Sequence, residues 1–217
     1  MLFIDKYYGA KLIILFLFSY LCTQKTKTTS KIEADSDEIM SHHPLELFHF
    51  CPKCGSSDFE IHNALSKHCS NCGFTYYQNP RASTAAFIIN GRGELLVARR
   101  GKEPAKGTLD LPGGFVDNEE NAEQGMVREI LEETGLHISA DSVEYLFSIP
   151  NIYHYSGMDI HTLDLFFLCH VEGDDVAVEA ADDAEGLAWV PLRDVYVERF
   201  GLRSIRQAVH RFLVEKR

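Results

Sequence analysis

Hydrophobic and polar positions change rhythm several times along this chain, and each change marks an element. From Arg81 the pattern is strand-like: residues 83–90 (STAAFIIN) and 94–100 (ELLVARR) flank Asn90-Gly91-Arg92-Gly93, a hairpin turn signal. Further on the period lengthens. Ala122, Met126, Val127, Ile130 and Leu131 form a helical stripe, Asn121 and Gln124 have the spacing of a capping box, and Gly135 supplies a left-handed stop. Gly125 interrupts that helix at a cost of about 1 kcal/mol against alanine, so close packing against a neighbour is expected there. Residues 142–150 and 161–171 read as two more strands, joined by an aromatic, turn-rich loop, NIYHYSGMD. A strand ending in Trp189-Val190 before Pro191 follows, and Leu202, Ile205, Val209, Phe212 and Leu213 give a closing amphipathic helix. Together these elements predict an α/β fold over residues 81–215, an α/β/α sandwich with a mixed sheet between the two helices.

Residues 1–40 stand apart. Lys6 and Lys11 precede an eleven-residue apolar run, residues 12–22, and then a polar stretch without periodicity. The run is shorter than the roughly 18 residues of a spanning helix and resembles the h-region of a signal peptide. No small-x-small cleavage site follows it, and Leu21 before Cys22 suits a lipoprotein site poorly. Met40 lies directly before the organised part of the chain, so Met40 is expected to be the physiological start, with a cytoplasmic product. The competing reading is a membrane anchor or export signal.

Composition adds one ordinary domain with a small appendage: 217 residues, 45% hydrophobic, 24% charged, net charge −11. The acidic balance argues against a broad nucleic-acid surface. The appendage is written in cysteines. Cys51 and Cys54, then fourteen residues, then Cys69 and Cys72 form two CxxC knuckles, with Gly55 and Gly73 placed to turn the chain after each. This spacing predicts a tetrahedral structural Zn²⁺ site in a ribbon over residues 48–76, the alternative being two disulfides. Four cysteines fill a zinc shell, so His42, His43, His62 and His68 receive no ligand role. Residues 41–80 carry only Lys53 and Lys67 against Glu46, Asp58 and Glu60, which is no footprint for a phosphate backbone. Tyr76 to Pro80 read as the hinge into the next domain, and Cys169, inside an apolar strand, reads as a small core residue.

The candidate chemistry sits on the first helix. Glu129, Glu132 and Glu133 fall at i, i+3 and i+4, within an arc of roughly 100°. Carboxylates that close repel one another, and an all-oxygen cluster suits a hard cation such as Mg²⁺ or Mn²⁺ that also bridges to substrate phosphate. Pro112 fixes a bend ahead of the helix, and Gly113 and Gly114 let the backbone approach the metal. Glu120 and Arg128, of opposite charge, are expected to tie the loop to the helix.

Taken together, Gly114, Glu120, Arg128, Glu129, Ile130, Glu132, Glu133, Gly135 and Leu136 match every fixed position of the Nudix box, and the chain is thereby similar to the Nudix hydrolase superfamily. A ribbon directly ahead of such a domain resembles the NADH pyrophosphatase-like group. The resemblance implies metal-dependent cleavage of a nucleoside diphosphate linked to another moiety, such as NADH or ADP-ribose. It also implies the Gly113 carbonyl as a further metal ligand and a loop carboxylate as proton acceptor. Glu185 is the first choice for that carboxylate, ahead of Asp182 and Asp183, with Glu129 the other candidate base. Arg99 or Arg100 would meet phosphate. Tyr153, His154 and Tyr155 are the nucleobase candidates, since stacked rings on a loop can hold a flat base. The SQPWPFP-like motif that marks NADH pyrophosphatases is absent, with Ser148-Ile149-Pro150-Asn151 in its place, so a preference for NADH over the other substrates is not implied. Two other readings stay open: a pyrophosphohydrolase of cap-like RNA 5′ ends, and a non-catalytic ligand sensor. A ribbon beside the catalytic domain would also offer a homodimer interface.

Overall fold

A computed structural model describes residues 43–173, 176–178 and 184–215; the leader, Asp182 and Asp183 lie outside them. The chain divides into two compact units between Gln78 and Asn79. In the first, β1 (Phe59–Asn63), β2 (Ser66–Cys69) and β3 (Thr75–Tyr77) form an antiparallel meander. Its small core consists of Cys51, Phe59 and Cys69, backed by Phe48, Cys72 and Phe74.

The second unit is an α/β/α sandwich. Its mixed sheet contains β4 (Arg81–Ile89), β5 (Glu94–Arg100), β6 (Leu109–Asp110), β7 (Glu144–Tyr155), β8 (Met158–His170) and β9 (Ala184–Pro191). Strand β4 runs parallel to β8, from Arg81 opposite Thr162 to Ile89 opposite His170, while β7 and β8 form an antiparallel hairpin. Alternation along β4 distributes its side chains between two cores. Ala85, Phe87 and Ile89 face the C-terminal helix α2 (Arg203–Glu215), where Phe87 stacks on Phe212 with ring centroids 4.1 Å apart. Ala86 and Ile88 face the other way, onto Met126 and Ile130 of helix α1 (Ala122–Thr134).

Strands β4 and β5 pair only at Ile89 and Leu95, and then diverge. The gap is filled by the segment that follows β6. Thr84 N–H donates to the Gly114 carbonyl at 2.8 Å, Ala86 N–H to Pro112 at 2.9 Å, and Val116 N–H to Ala82 at 3.1 Å. The loop ahead of α1 is therefore laced onto the free edge of β4 like a further strand.

The capping box is formed as expected: Asn121 accepts from Gln124 N–H at 2.8 Å and Gln124 accepts from Asn121 N–H at 3.0 Å. Gly135 closes α1 at φ 72°. Gly125 is buried, and a Cβ there would come within 3.2 Å of Glu120 and 3.4 Å of Val116, which accounts for the glycine. Two expectations change. Leu131 does not join the buried stripe and is 40% exposed; Thr134 takes the inward position, its hydroxyl donating to the Ile130 carbonyl. The stretch NIYHYSGMD is also not a loop. Strand β7 continues to Tyr155 and β8 begins at Met158, joined by Ser156 and Gly157 at φ 53° and 77°. Positive φ at both central positions is the two-residue hairpin turn that matches strand twist, and the β-branched and aromatic residues on either side favour strand.

Candidate active site

Arg128 is the hub of the acidic helix face. Its Nε donates to Glu120 Oε1 at 2.8 Å and its Nη2 to Glu120 Oε2 at 3.1 Å and to the Phe115 carbonyl at 2.9 Å. Its Nη1 is shared between Glu129 Oε1 at 2.8 Å and Glu132 Oε2 at 3.0 Å. Glu120 also accepts from Asp117 N–H, so one carboxylate ties the loop to the helix through two partners. These contacts set the proton affinities. Hydrogen bonding from Arg128, helped by Asp117 N–H, holds Glu120 below the usual carboxylate range. Arg128 itself is held further up, first by Glu120 and then by Glu129. Glu129, unlike Glu120, is raised: burial pushes it up against the pull of Arg128.

The glycines ahead of the helix are closely approached, Gly113 by backbone and Gly114 by a side chain. Gly113 has φ 149°, and a Cβ there would lie 2.1 Å from the Thr84 carbonyl oxygen. A Cβ on Gly114 would lie 2.5 Å from the Glu129 carboxylate carbon. Gly113 N–H donates to Glu133 Oε2 at 2.9 Å, which fixes the third carboxylate against the loop. The Pro112 and Gly114 carbonyls both accept from β4, whereas the Gly113 carbonyl between them accepts no backbone bond among the described residues.

The oxygen donors suit a hard cation. Glu129 and Glu132 already direct one oxygen each at a single cationic nitrogen, and Glu133 accepts from Gly113 N–H on the loop side. The three carboxylates do not close on one point; Arg128 and Gly113 N–H compensate them instead.

A cavity of about 190 Å³ opens next to this face. Glu133, Gly113, Gly114 and Phe115 form one side, Arg99, Arg100 and Lys102 another, and Tyr153 a third. Arg99 is exposed and reaches the Gly107 carbonyl at 3.4 Å. Arg100 is half-buried; its Nη1 donates to Asp110 and its Nε to the Pro104 carbonyl at 2.8 Å, which anchors the segment that follows β5. Burial opposes the charge on Arg100, but Asp110 outweighs it and the guanidinium is held above its ordinary value. Burial conversely raises Asp110, against the attraction of Arg100.

Of the three aromatic candidates, Tyr153 lines the cavity and meets Phe115 edge-on, with ring centroids 6.3 Å apart. His154 pairs with Asp159 at the hairpin tip, and Tyr155 is 62% exposed. Glu185 lies at the start of β9, about half exposed, with Lys106 at 3.4 Å, and is not part of the cavity lining. Sequence reasoning overlooked Asp110, Asp164, Ser83 and Thr162, all in the lining. Their one signal was polarity inside otherwise apolar strands.

In the first unit, one ligand atom from each of Cys51, Cys54, Cys69 and Cys72 falls within 4.8 Å of the others. Cys51–Cys72 and Cys54–Cys69 sulfur separations are 3.7 Å. That is far beyond the roughly 2.0 Å of a disulfide. It matches the edge of about 3.8 Å expected for four thiolates placed at about 2.3 Å around a tetrahedral centre. Cys54 is lowered to about 6 by the Ser56 backbone and the Asn71 amide. His43 and His68 are engaged elsewhere, with Asn63 and Thr75.

Residues 79–212 match the family model of the NUDIX domain. The chain is 30% identical over 147 residues to an NAD-capped RNA hydrolase of Chromobacterium violaceum, covering 66% of this chain and 51% of that protein. It is 33% identical over 108 residues to an ADP-ribose pyrophosphatase of Methanocaldococcus jannaschii, covering 50% and 60%. The chain thus spans about half the length of the curated relatives it matches. Among solved structures, a NUDIX hydrolase from Nitrosomonas europaea superposes with a TM-score of 0.57 at 22% identity, over 77% of this chain and 91% of that one, a likeness of fold.

Proposed function

Since this chain belongs to the NUDIX domain family, we propose that it hydrolyses the diphosphate of a nucleoside diphosphate linked to another moiety, giving a nucleoside monophosphate and a phosphorylated remainder. One observation carries this reading: Glu133 of the α1 carboxylate face and the Gly113-Gly114 backbone line the same cavity, so phosphate and the attached group can be held side by side. Glu129, Glu132, Glu133 and the Gly113 carbonyl are the ligands for Mg²⁺ or Mn²⁺, which when bound would supply Lewis-acid neutralisation of the diphosphate charge. Arg128 positions Glu129 and Glu132, while Glu120 positions Arg128. Arg99 and Lys102 at the rim attract the anionic substrate. Glu129 or Glu185 would accept the water proton. Tyr153 and Phe115 form the aromatic wall for the nucleoside.

The four cysteines hold a structural Zn²⁺, and residues 48–76 form a zinc ribbon ahead of a catalytic domain over 81–215. The described residues contain no helix long and apolar enough to cross a membrane; a cytoplasmic enzyme working as a monomer or homodimer is our reading.

A second reading has specific support. Several relatives are named NAD-capped RNA hydrolases, so the dinucleotide recognised would sit at an RNA 5′ end, although Lys53 and Lys67 are the only ribbon cations. Mass-spectrometric product analysis with ADP-ribose, NADH, diadenosine polyphosphates and NAD-capped RNA, each with Mg²⁺ and Mn²⁺, separates the two. Glu132 is half exposed, so Glu132→Gln should keep the fold and lose most activity. Full activity in that variant would refute the assignment, and no turnover by the wild type on any substrate would favour the sensor reading.

A further inference from the structure

The cavity beside Glu133 contains a buried carboxylate that the proposed hydrolysis does not use. Asp164 is 7% exposed and lies opposite Ser83 in the β4–β8 register. Its Oδ1 accepts from two hydroxyls, Ser83 Oγ at 2.5 Å and Thr162 Oγ1 at 2.6 Å. No protein donor reaches Oδ2 among the described residues. The neighbouring Asp110 differs: Arg100 and Leu111 N–H engage both of its oxygens. Asp164 lines the cavity, and its Oδ2 is not among the sealed, partnerless polar atoms, which are Ser66 Oγ and Ser204 Oγ. An open acceptor therefore faces the cavity from a side chain fixed by two donors.

We propose that Asp164 is a specificity determinant that accepts a hydrogen bond from the exocyclic amine of the substrate's nucleobase. The inference rests on the diphosphate-hydrolase reading, because the cavity's occupant is then covalently joined to the diphosphate beside Glu133. Tyr153 and Phe115 on the cavity wall fit a flat ring. An ionised carboxylate can only accept. An amine such as that of adenine satisfies Oδ2, whereas a carbonyl at the same ring position sets acceptor against acceptor, with both groups removed from water.

The test measures kcat/KM for the full chain and for D164N with ADP-ribose, its hypoxanthine counterpart IDP-ribose, and ADP-ribose lacking the 2′-hydroxyl of the adenosine ribose. The wild type should prefer ADP-ribose over IDP-ribose by about 10- to 100-fold, mainly through KM. D164N, which keeps an acceptor for Ser83 and Thr162 and turns an amide N–H to the cavity, should abolish or reverse that preference. Equal efficiency on the two bases in the wild type, a loss confined to the 2′-deoxy substrate, or an equal fall on all substrates in D164N would overturn the proposal. Should D164N fail to fold, the wild-type ratio still decides. Should no substrate turn over, the hydrolase reading has failed on its own. Calorimetric binding of AMP against IMP then tests the carboxylate separately, a preference for AMP supporting it and equal binding overturning it.

Discussion

Replacing Gly114 with alanine should separate activity from stability. The new Cβ would lie 2.5 Å from the Glu129 carboxylate carbon, with the two oxygens at 2.5 and 2.6 Å. Non-bonded carbons settle at about 3.5 Å or more, so the carboxylate must retreat by about 1 Å. Gly114 lies outside the left-handed region of backbone space, and the obstacle is the end of a flexible side chain, so the backbone can stay in place. Moving Glu129 off its rotamer costs on the order of 1 kcal/mol. A displacement of about 1 Å in a catalytic group can cost about 100-fold in rate. Gly114→Ala should therefore unfold in urea within about 1 kcal/mol of the wild type while its kcat/KM on ADP-ribose falls by about 100-fold. The neighbouring substitution is the control. At Gly113 the Cβ meets backbone, 2.1 Å from the Thr84 oxygen, at φ 149°. Gly113→Ala should lose about 3 kcal/mol or more, because the loop must leave β4. A Gly114→Ala enzyme within twofold of wild-type activity would refute the placement of Glu129 in the chemistry.

Further outcomes follow from other parts of the molecule. Glu129 carries a raised proton affinity in the folded, metal-free protein, so its contribution to stability is full below the ordinary glutamate range and is lost as pH rises through the raised value. In EDTA, the Tm difference between wild type and Glu129→Gln should thus shift in favour of the variant as pH rises, and Mg²⁺ should restore the wild type; a difference independent of pH would contradict the burial argument. Arg100→Ala leaves the buried Asp110 carboxylate without its cation and should cost about 3 to 5 kcal/mol in urea unfolding. Elemental analysis should find one zinc per chain, lost in Cys69→Ser, whereas retention of zinc in that variant would point to another site. Glu185→Gln should keep most activity, and a loss as deep as that of Glu132→Gln would transfer the base role to Glu185.

Local spacing made the helix and its carboxylate face legible. The Asn121–Gln124 box, the Gly135 stop, the Glu120–Arg128 pair and the two CxxC knuckles each lie within a short stretch of chain, where residue type and interval decide the geometry. What escaped depends on register. Ser83 and Asp164 are 81 residues apart and meet only because β4 runs parallel to β8. Arg128 could be paired with Glu120 by charge, but its bond to the Phe115 carbonyl needs the loop in place. Tyr153 lies on strand β7 and not on the expected loop. Ser156-Gly157 is a weaker turn signal than Asn-Gly, and the aromatic run around it hid a continuous hairpin.

The lacing of residues 112–116 onto β4 has a kinetic consequence. Amides of Thr84 and Ala86 in the central strand donate into the loop that carries Gly113 and Gly114, while the opposite edge of β4 is bonded to β8. Release of the loop would expose the Thr84 and Ala86 amides of the central strand to water. Slow amide hydrogen exchange, usually reserved for a buried core, should extend into this loop, and its amides should open with the sheet as one cooperative unit. Residues 112–116 would then persist in register for as long as the domain remains folded.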